Sequence, residues 1–153
     1  MADRYFEDYL PGTTSEHGPI VVDRNEVLEF AGRYDPQAFH IDEEAAVAGP
    51  FEGLIASGWH TCALMMRVLV DEYLSPASSL GSPGIDELRW LLPVRPGDRL
   101  TLRATVQEAR VSRSDPTRGI LKTNVQLLNQ AGDLVLRMTA VNLVRTRPAD
   151  HGR

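Results

Sequence analysis

The chain carries a single cysteine, Cys62. It can close no internal disulfide and holds no CxxC metal pair, so a reducing compartment, the cytoplasm, is the expected setting. Basic residues are also scarce: 16 Lys and Arg stand against 21 Asp and Glu, a net charge of −5. Without a block of Lys or Arg, nucleic acid and anionic membrane surfaces drop out as expected partners. Long apolar runs are missing too. The longest apolar helical stretch is interrupted by Arg67 and Asp71 and is too short to span a bilayer. The start, MADRYFEDYL, is acidic and has no basic-then-apolar order, so it is not read as a signal peptide. There is no repeat, no phosphate loop and no dinucleotide fingerprint. Ser57 is not a hydrolase elbow, because Ile55 stands where that motif needs its first glycine.

What is present is one domain's worth of chain, 153 residues of ordinary globular composition. A single domain over 1–153 is expected, with its core across about 19–147 and both ends loose. PIVV, residues 19–22, reads as a short strand. Asp23 caps a helix over 24–34, with Glu26 at the capping-box position. Pro36 disfavours helix at Asp35, so residues 35–41 are expected as loop. Asp42 then caps a short helix that Gly49-Pro50 ends. Ser57 is the N-cap of a longer helix reaching about residue 74. That helix is apolar almost all round, which predicts a place in the middle of the fold.

Beyond it the period changes to two. Leu88, Trp90 and Leu92 alternate, as do Leu100, Leu102, Ala104 and Val106 against Thr101, Arg103, Thr105 and Gln107, and then Leu121, Thr123, Val125 and Leu127. Turns are expected at 96–98, 112–119 and 129–133, and a long interior strand over 134–144. Helices first and an antiparallel meander afterwards define an α+β chain, with a curved sheet wrapped around the buried helix.

Three segments are more specific than the pattern: YDPQAFHID, GLIASGWHT and RWLLPVRPGDRL. Together they resemble the MaoC-like dehydratases, the group that includes (R)-specific enoyl-CoA hydratases, over about 19–147. The resemblance implies a hot-dog fold and hydration of 2-enoyl thioesters, or the reverse dehydration of 3-hydroxyacyl thioesters. That reaction needs a base for water, a proton for Cα, and a donor for the charge that builds on the thioester oxygen. Histidine titrates near neutrality and suits the first two tasks. The family's Asp and His, five residues apart, carry onto Asp35 and His40. The family's oxyanion glycine carries onto Gly58, whose N–H has no partner within the helix and lies at the positive end of its dipole. Ser57 and Trp59, on either side, are expected to contact substrate. Many relatives have Asn-Pro before the His and His-Gly at the helix start. This chain has DPQAFH and Ser57-Gly58, which implies its own acyl group.

The resemblance further implies a homodimer, or a dimer of dimers, with sheets joined edge to edge and the pocket near the interface. It implies coenzyme A as part of the substrate, with no separate cofactor and no metal. Arg67, Arg89, Arg95, Arg99, Arg145 and Arg147 are candidates for the anionic CoA nucleotide. His60 is read as a core or pocket histidine, Cys62 as an inert thiol, Met65 and Met66 as core or acyl tunnel, and His17 and His151 as solvated. His60 and Cys62 point different ways on one helix, which argues against a metal site. The rival readings are a hot-dog thioesterase and a non-catalytic acyl-binding protein. The first would need an acid near the helix start, where Asp71 and Glu72 come too late.

Overall fold

The computed structural model describes residues 2–149. Five antiparallel strands form one sheet in the order β1-β3-β4-β5-β2. They are β1 (Thr14–Val21), β2 (Gly84–Trp90), β3 (Arg99–Val111), β4 (Arg118–Leu128) and β5 (Leu134–Arg145). Helices α1 (Arg24–Tyr34), α2 (Ala38–Ile41), α3 (Glu43–Ala48) and α4 (Gly58–Val68) all lie in sequence between β1 and β2. This is the hot-dog arrangement, α+β, with α4 laid across the sheet.

The alternating pattern explains why the sheet has one dry face. Leu100, Leu102, Ala104 and Val106 of β3 are buried, and Leu121, Val125 and Leu127 of β4 join them beside Leu136 and Met138 of β5. Met65 and Leu69 from the α4 side complete the same core. Each large side chain buried there contributes about 1.5–3 kcal/mol.

Asp23 caps α1 as expected, its side chain accepting from Glu26 N–H, and Asp42 caps α3 by accepting from Ala45 N–H. Several expectations need correction. The first strand is longer than PIVV and starts at Thr14; its edge position needs no strong apolar signal. Residues 35–41 are not all loop, because Ala38–Ile41 closes one helical turn. The long helix does not run regularly to 74 but passes into a π-helical turn over Leu69–Tyr73. Nor is it buried all round. Trp59, Met66 and Val70 are 61%, 45% and 50% exposed, so its apolar outer face is open in the single chain.

The N-terminal end is not loose. A 3-10 turn at Phe6–Asp8 leads into Tyr9, which is fully buried and donates to the Tyr73 carbonyl. Phe6 lies against Gly119, where any Cβ would stand 2.0 Å from the ring. The other end is tied as far as Arg147, whose guanidinium pairs with Asp8. His151 lies outside the described residues.

Candidate active site

Pro36 decides the local path. It ends α1 at Tyr34 and leaves Asp35 outside the helical region, at φ −150° and ψ 64°. The chain reverses at once: Gln37 N–H donates to the Asp35 carbonyl, and His40 N–H donates to the Gln37 carbonyl. One turn of α2 then aims His40 back towards Asp35. The segment before α4 holds this turn in place, since Ile55 N–H donates to the Phe39 carbonyl.

His40 is 5% exposed, and its Nδ1 lies 2.7 Å from the Ile55 carbonyl oxygen. A carbonyl only accepts, so Nδ1 carries a proton and the neutral ring keeps its lone pair on Nε2. That Nε2 stands 3.2 Å from Asp35 Oδ2. Two acceptors at this distance need a hydrogen between them. Either a bound molecule donates it, or the ring takes a second proton and forms an ion pair.

Asp35 is held firmly as the acceptor. Gln37 Nε2 donates to Oδ1 and Ser57 Oγ donates to Oδ2, both at 2.7 Å. The Gln37 bond, then the Ser57 bond, hold the Asp35 carboxyl below its ordinary value; partial burial opposes them, and His40 adds to the lowering.

Ser57 is the N-cap of α4 by backbone geometry, yet its side chain makes no cap bond because it is turned to Asp35. Gly58 N–H, the next donor, has no acceptor among the described residues. Asp35, His40, Gly58, Trp59 and Thr61 all line one open cavity of about 450 Å³. Its remaining walls are mostly apolar: Phe51, Ile55, Ala56 and the run from Trp90 to Val94. Ser57 itself is fully buried behind the wall.

Trp90 explains part of the glycine. Its indole Nε1 donates to the Gly58 carbonyl, and a Cβ on Gly58 would lie 2.5 Å from Trp90 Cε2. Trp59 packs edge-on against the same indole, with ring centroids 5.0 Å apart. The structure thus places Asp35, His40, Ser57, Gly58 and Trp59 close together, with one correction: Ser57 is not the substrate contact expected, because it is fully buried off the cavity lining and its hydroxyl is spent on Asp35. It adds Gln37 and Trp90, which sequence reasoning missed. Gln37 lies inside the YDPQAFHID segment, but nothing in its spacing marks a side chain that turns back to Asp35; Trp90 sits in RWLLPV, where the alternation hid it.

Other candidates lie elsewhere. His60 is buried and stacked on Phe30 at 4.9 Å, lines a separate groove along α1, and leaves Nδ1 without a partner. Met65 is core, but Met66 is exposed. His17 is not solvated: its side chain is 12% exposed and pairs with Glu72. Burial pushes the Cys62 thiol up, away from reactivity. Asp71 pairs with Arg67, and neither Asp71 nor Glu72 lines the cavity. None of the six candidate arginines lines it either; Arg95 instead donates to the carbonyl of the wall residue Phe51. Among the described residues there is no cluster of metal-ligating side chains, and no helix long and apolar enough to cross a membrane.

The family model described as MaoC like domain matches residues 8–126, and the chain belongs to that family. It is similar to the crystal structure of a MaoC-like dehydratase from Rhodospirillum rubrum, with TM-score 0.85 and 41% identity, covering 95% of this chain and 99% of that one. It is 28% identical over 124 residues to the uncharacterized protein YdeM of Bacillus subtilis, which covers 81% of this chain and 86% of YdeM. It is 31% identical over 153 residues to mesaconyl-CoA hydratase of Cereibacter sphaeroides, which covers 95% of this chain. The chain spans 42% of that protein's length. Family and neighbours together support a hydratase or dehydratase of the hot-dog type.

Proposed function

We propose that the protein interconverts 2-enoyl and 3-hydroxyacyl thioesters of coenzyme A or a carrier protein. The observation that carries this reading is the pairing of His40 Nε2 with Asp35 Oδ2 in a cavity that also contains the α4 N-terminus. Water bound beside the two acceptors, within reach of both, donates to them and presents its oxygen to Cβ of the enoyl group. His40 Nε2 takes the proton as the C–O bond forms. The electron pair moves through Cα to the thioester oxygen, where Gly58 N–H and the helix dipole hold the charge. His40 then returns the proton to Cα. Dehydration runs the same steps in reverse. Asp35 stays ionised throughout and stabilises the charged ring.

The candidate acids of the rival thioesterase reading, Asp71 and Glu72, are engaged with Arg67 and His17 away from the cavity. In this reading coenzyme A enters as part of the substrate, water is the second reactant, and no separate cofactor takes part.

The working unit in this proposal is a homodimer. Trp59 and Met66 are exposed on α4 and Val70 on the π-helical turn that continues it, and Ile85 and Trp90 are exposed on β2, whose outer edge is unpaired. A second copy seated along this seam covers the apolar surface. It also closes the mouth of the cavity, because Trp59 and Trp90 belong to both.

The test is the loss of ultraviolet absorbance when crotonyl-CoA and longer or branched enoyl-CoAs are hydrated. Asp35→Asn and His40→Gln should each reduce kcat by about 10²–10⁴-fold, the range of general acid–base catalysis. Unchanged turnover in the His40 variant would falsify the assignment. Release of free thiol would instead establish a thioesterase, and ligand binding with no turnover a binding protein.

A further inference from the structure

We propose that Gln37 is a positioning residue of this site: its side-chain amide sets the plane of the Asp35 carboxylate and so the place of the water beside His40. The inference rests on the hydratase reading for its catalytic consequence, though not for its structural one.

The accounting of hydrogen bonds leads to Gln37. Asp35 Oδ2 accepts from Ser57 and faces His40 Nε2. With those contacts alone the carboxylate is anchored at one oxygen and can turn about it. Gln37 Nε2 holds the other oxygen, Oδ1, at 2.7 Å, and two anchors on two oxygens define a plane. The backbone of Gln37 reinforces the link, donating to the Asp35 carbonyl and accepting from His40 N–H. One residue therefore joins the acid and the base through three hydrogen bonds.

Residue type points the same way. Gln37 is the N-cap of α2, a position that favours Asn, Asp, Ser or Thr. Glutamine is a weak cap, and here it makes no side-chain cap bond. Its longer side chain turns away from the helix and reaches Asp35. Gln37 also lines the cavity, so the amide stands where substrate enters.

The experiment uses the full chain and two variants, Gln37→Leu and Gln37→Glu, beside the parent. Three quantities are measured: the ¹³C carboxyl titration of Asp35, ligand binding from tryptophan emission, and crotonyl-CoA hydration across pH. Trp59 and Trp90 are the only tryptophans, and both line the cavity. Gln37→Leu has no donor, so the Asp35 titration should move up while the circular dichroism melt stays in place. Its kcat should fall roughly 10–10²-fold, with KM and crotonyl-CoA binding little changed, as expected for misplaced reacting groups. Gln37→Glu can donate while protonated but repels Asp35 once ionised. Its activity relative to the parent should therefore recover as pH falls, which a purely structural role does not predict.

An unmoved Asp35 titration in Gln37→Leu overturns the inference, whether or not kcat falls. So does a moved titration with parental kcat. If the parent itself hydrates no enoyl thioester, the titration still decides the structural claim. A shifted midpoint then retains Gln37 as the anchor of Asp35, while the hydratase reading is lost.

Discussion

Ser57 Oγ donates to Asp35 Oδ2 at 2.7 Å across 22 residues of sequence, from the N-cap position of α4. A residue placed to cap a helix gives up its cap bond to hold a carboxylate. The helix start and the Asp35–His40 pair are thereby joined. In the proposed hydration this link would bring a thioester oxygen at Gly58 N–H into register with water at His40.

Replacing Ser57 by Ala tests that link. No cap bond is lost, so the cost in stability should be only that of one partly buried charge-assisted bond, about 1.5–3 kcal/mol. The Asp35 carboxyl should move up towards its ordinary value, and kcat for crotonyl-CoA should fall roughly 10–10²-fold. Thermal melts and steady-state kinetics check both. Parental kcat would mean that Gln37 alone suffices to position Asp35.

Gly58→Ala should act through Trp90. The new Cβ overlaps the indole, so Trp90 must swing away and lose its bond to the Gly58 carbonyl. Emission from the two tryptophans should shift to longer wavelength as Trp90 becomes more solvated. Turnover should drop by roughly 10²-fold, because the N–H donor is displaced together with the wall. An unshifted emission spectrum would show that the helix start, and not the indole, gives way.

His60 makes a separate prediction about stability. Burial holds its pKa below 6.5, with Glu26 opposing. The unfolded chain therefore accepts a proton that the folded chain refuses, and stability falls as pH drops below about 6.5. Its Nδ1 has no partner to lose, and phenylalanine can keep the stack on Phe30. His60→Phe should thus gain in melting temperature over the parent as pH is lowered from neutrality, with little difference above pH 7.5 or so. A gap independent of pH would rule out this titration.

The exposed seam predicts assembly. Light scattering at micromolar concentration should give the parent twice the chain mass. The double variant Met66→Glu with Val70→Glu, placing two charges on the open face of α4 and its π-helical continuation, should give a monomer. A monomeric parent would remove the dimer from the proposal.

Much of the fold was legible because its causes are local. Asp23 and Asp42 cap the helices they precede, and alternation in 100–106 and 121–127 marks strands with one dry face. What escaped depends on partners distant in sequence. Thr14 to His17 look like a polar tail until β3 is there to pair with them. Phe6 looks unattached until Gly119 supplies a surface without a side chain. The apolar circumference of α4 suggested full burial, but a sheet covers only one side of a helix.

At the site, the sequence by itself determined the chemistry available: a carboxylate, a helix-breaking proline and an imidazole within six residues, and a glycine after a serine at a helix start. These are matters of residue type and spacing. Only the tertiary structure decided how they are used. It turned Ser57 from cap to carboxylate partner, gave Nδ1 of His40 to Ile55 and left Nε2 for Asp35, and laid Trp90 on Gly58. Hydrogen-bond direction and side-chain contact between such distant residues depend on the path of the whole chain. No local period or motif encodes them.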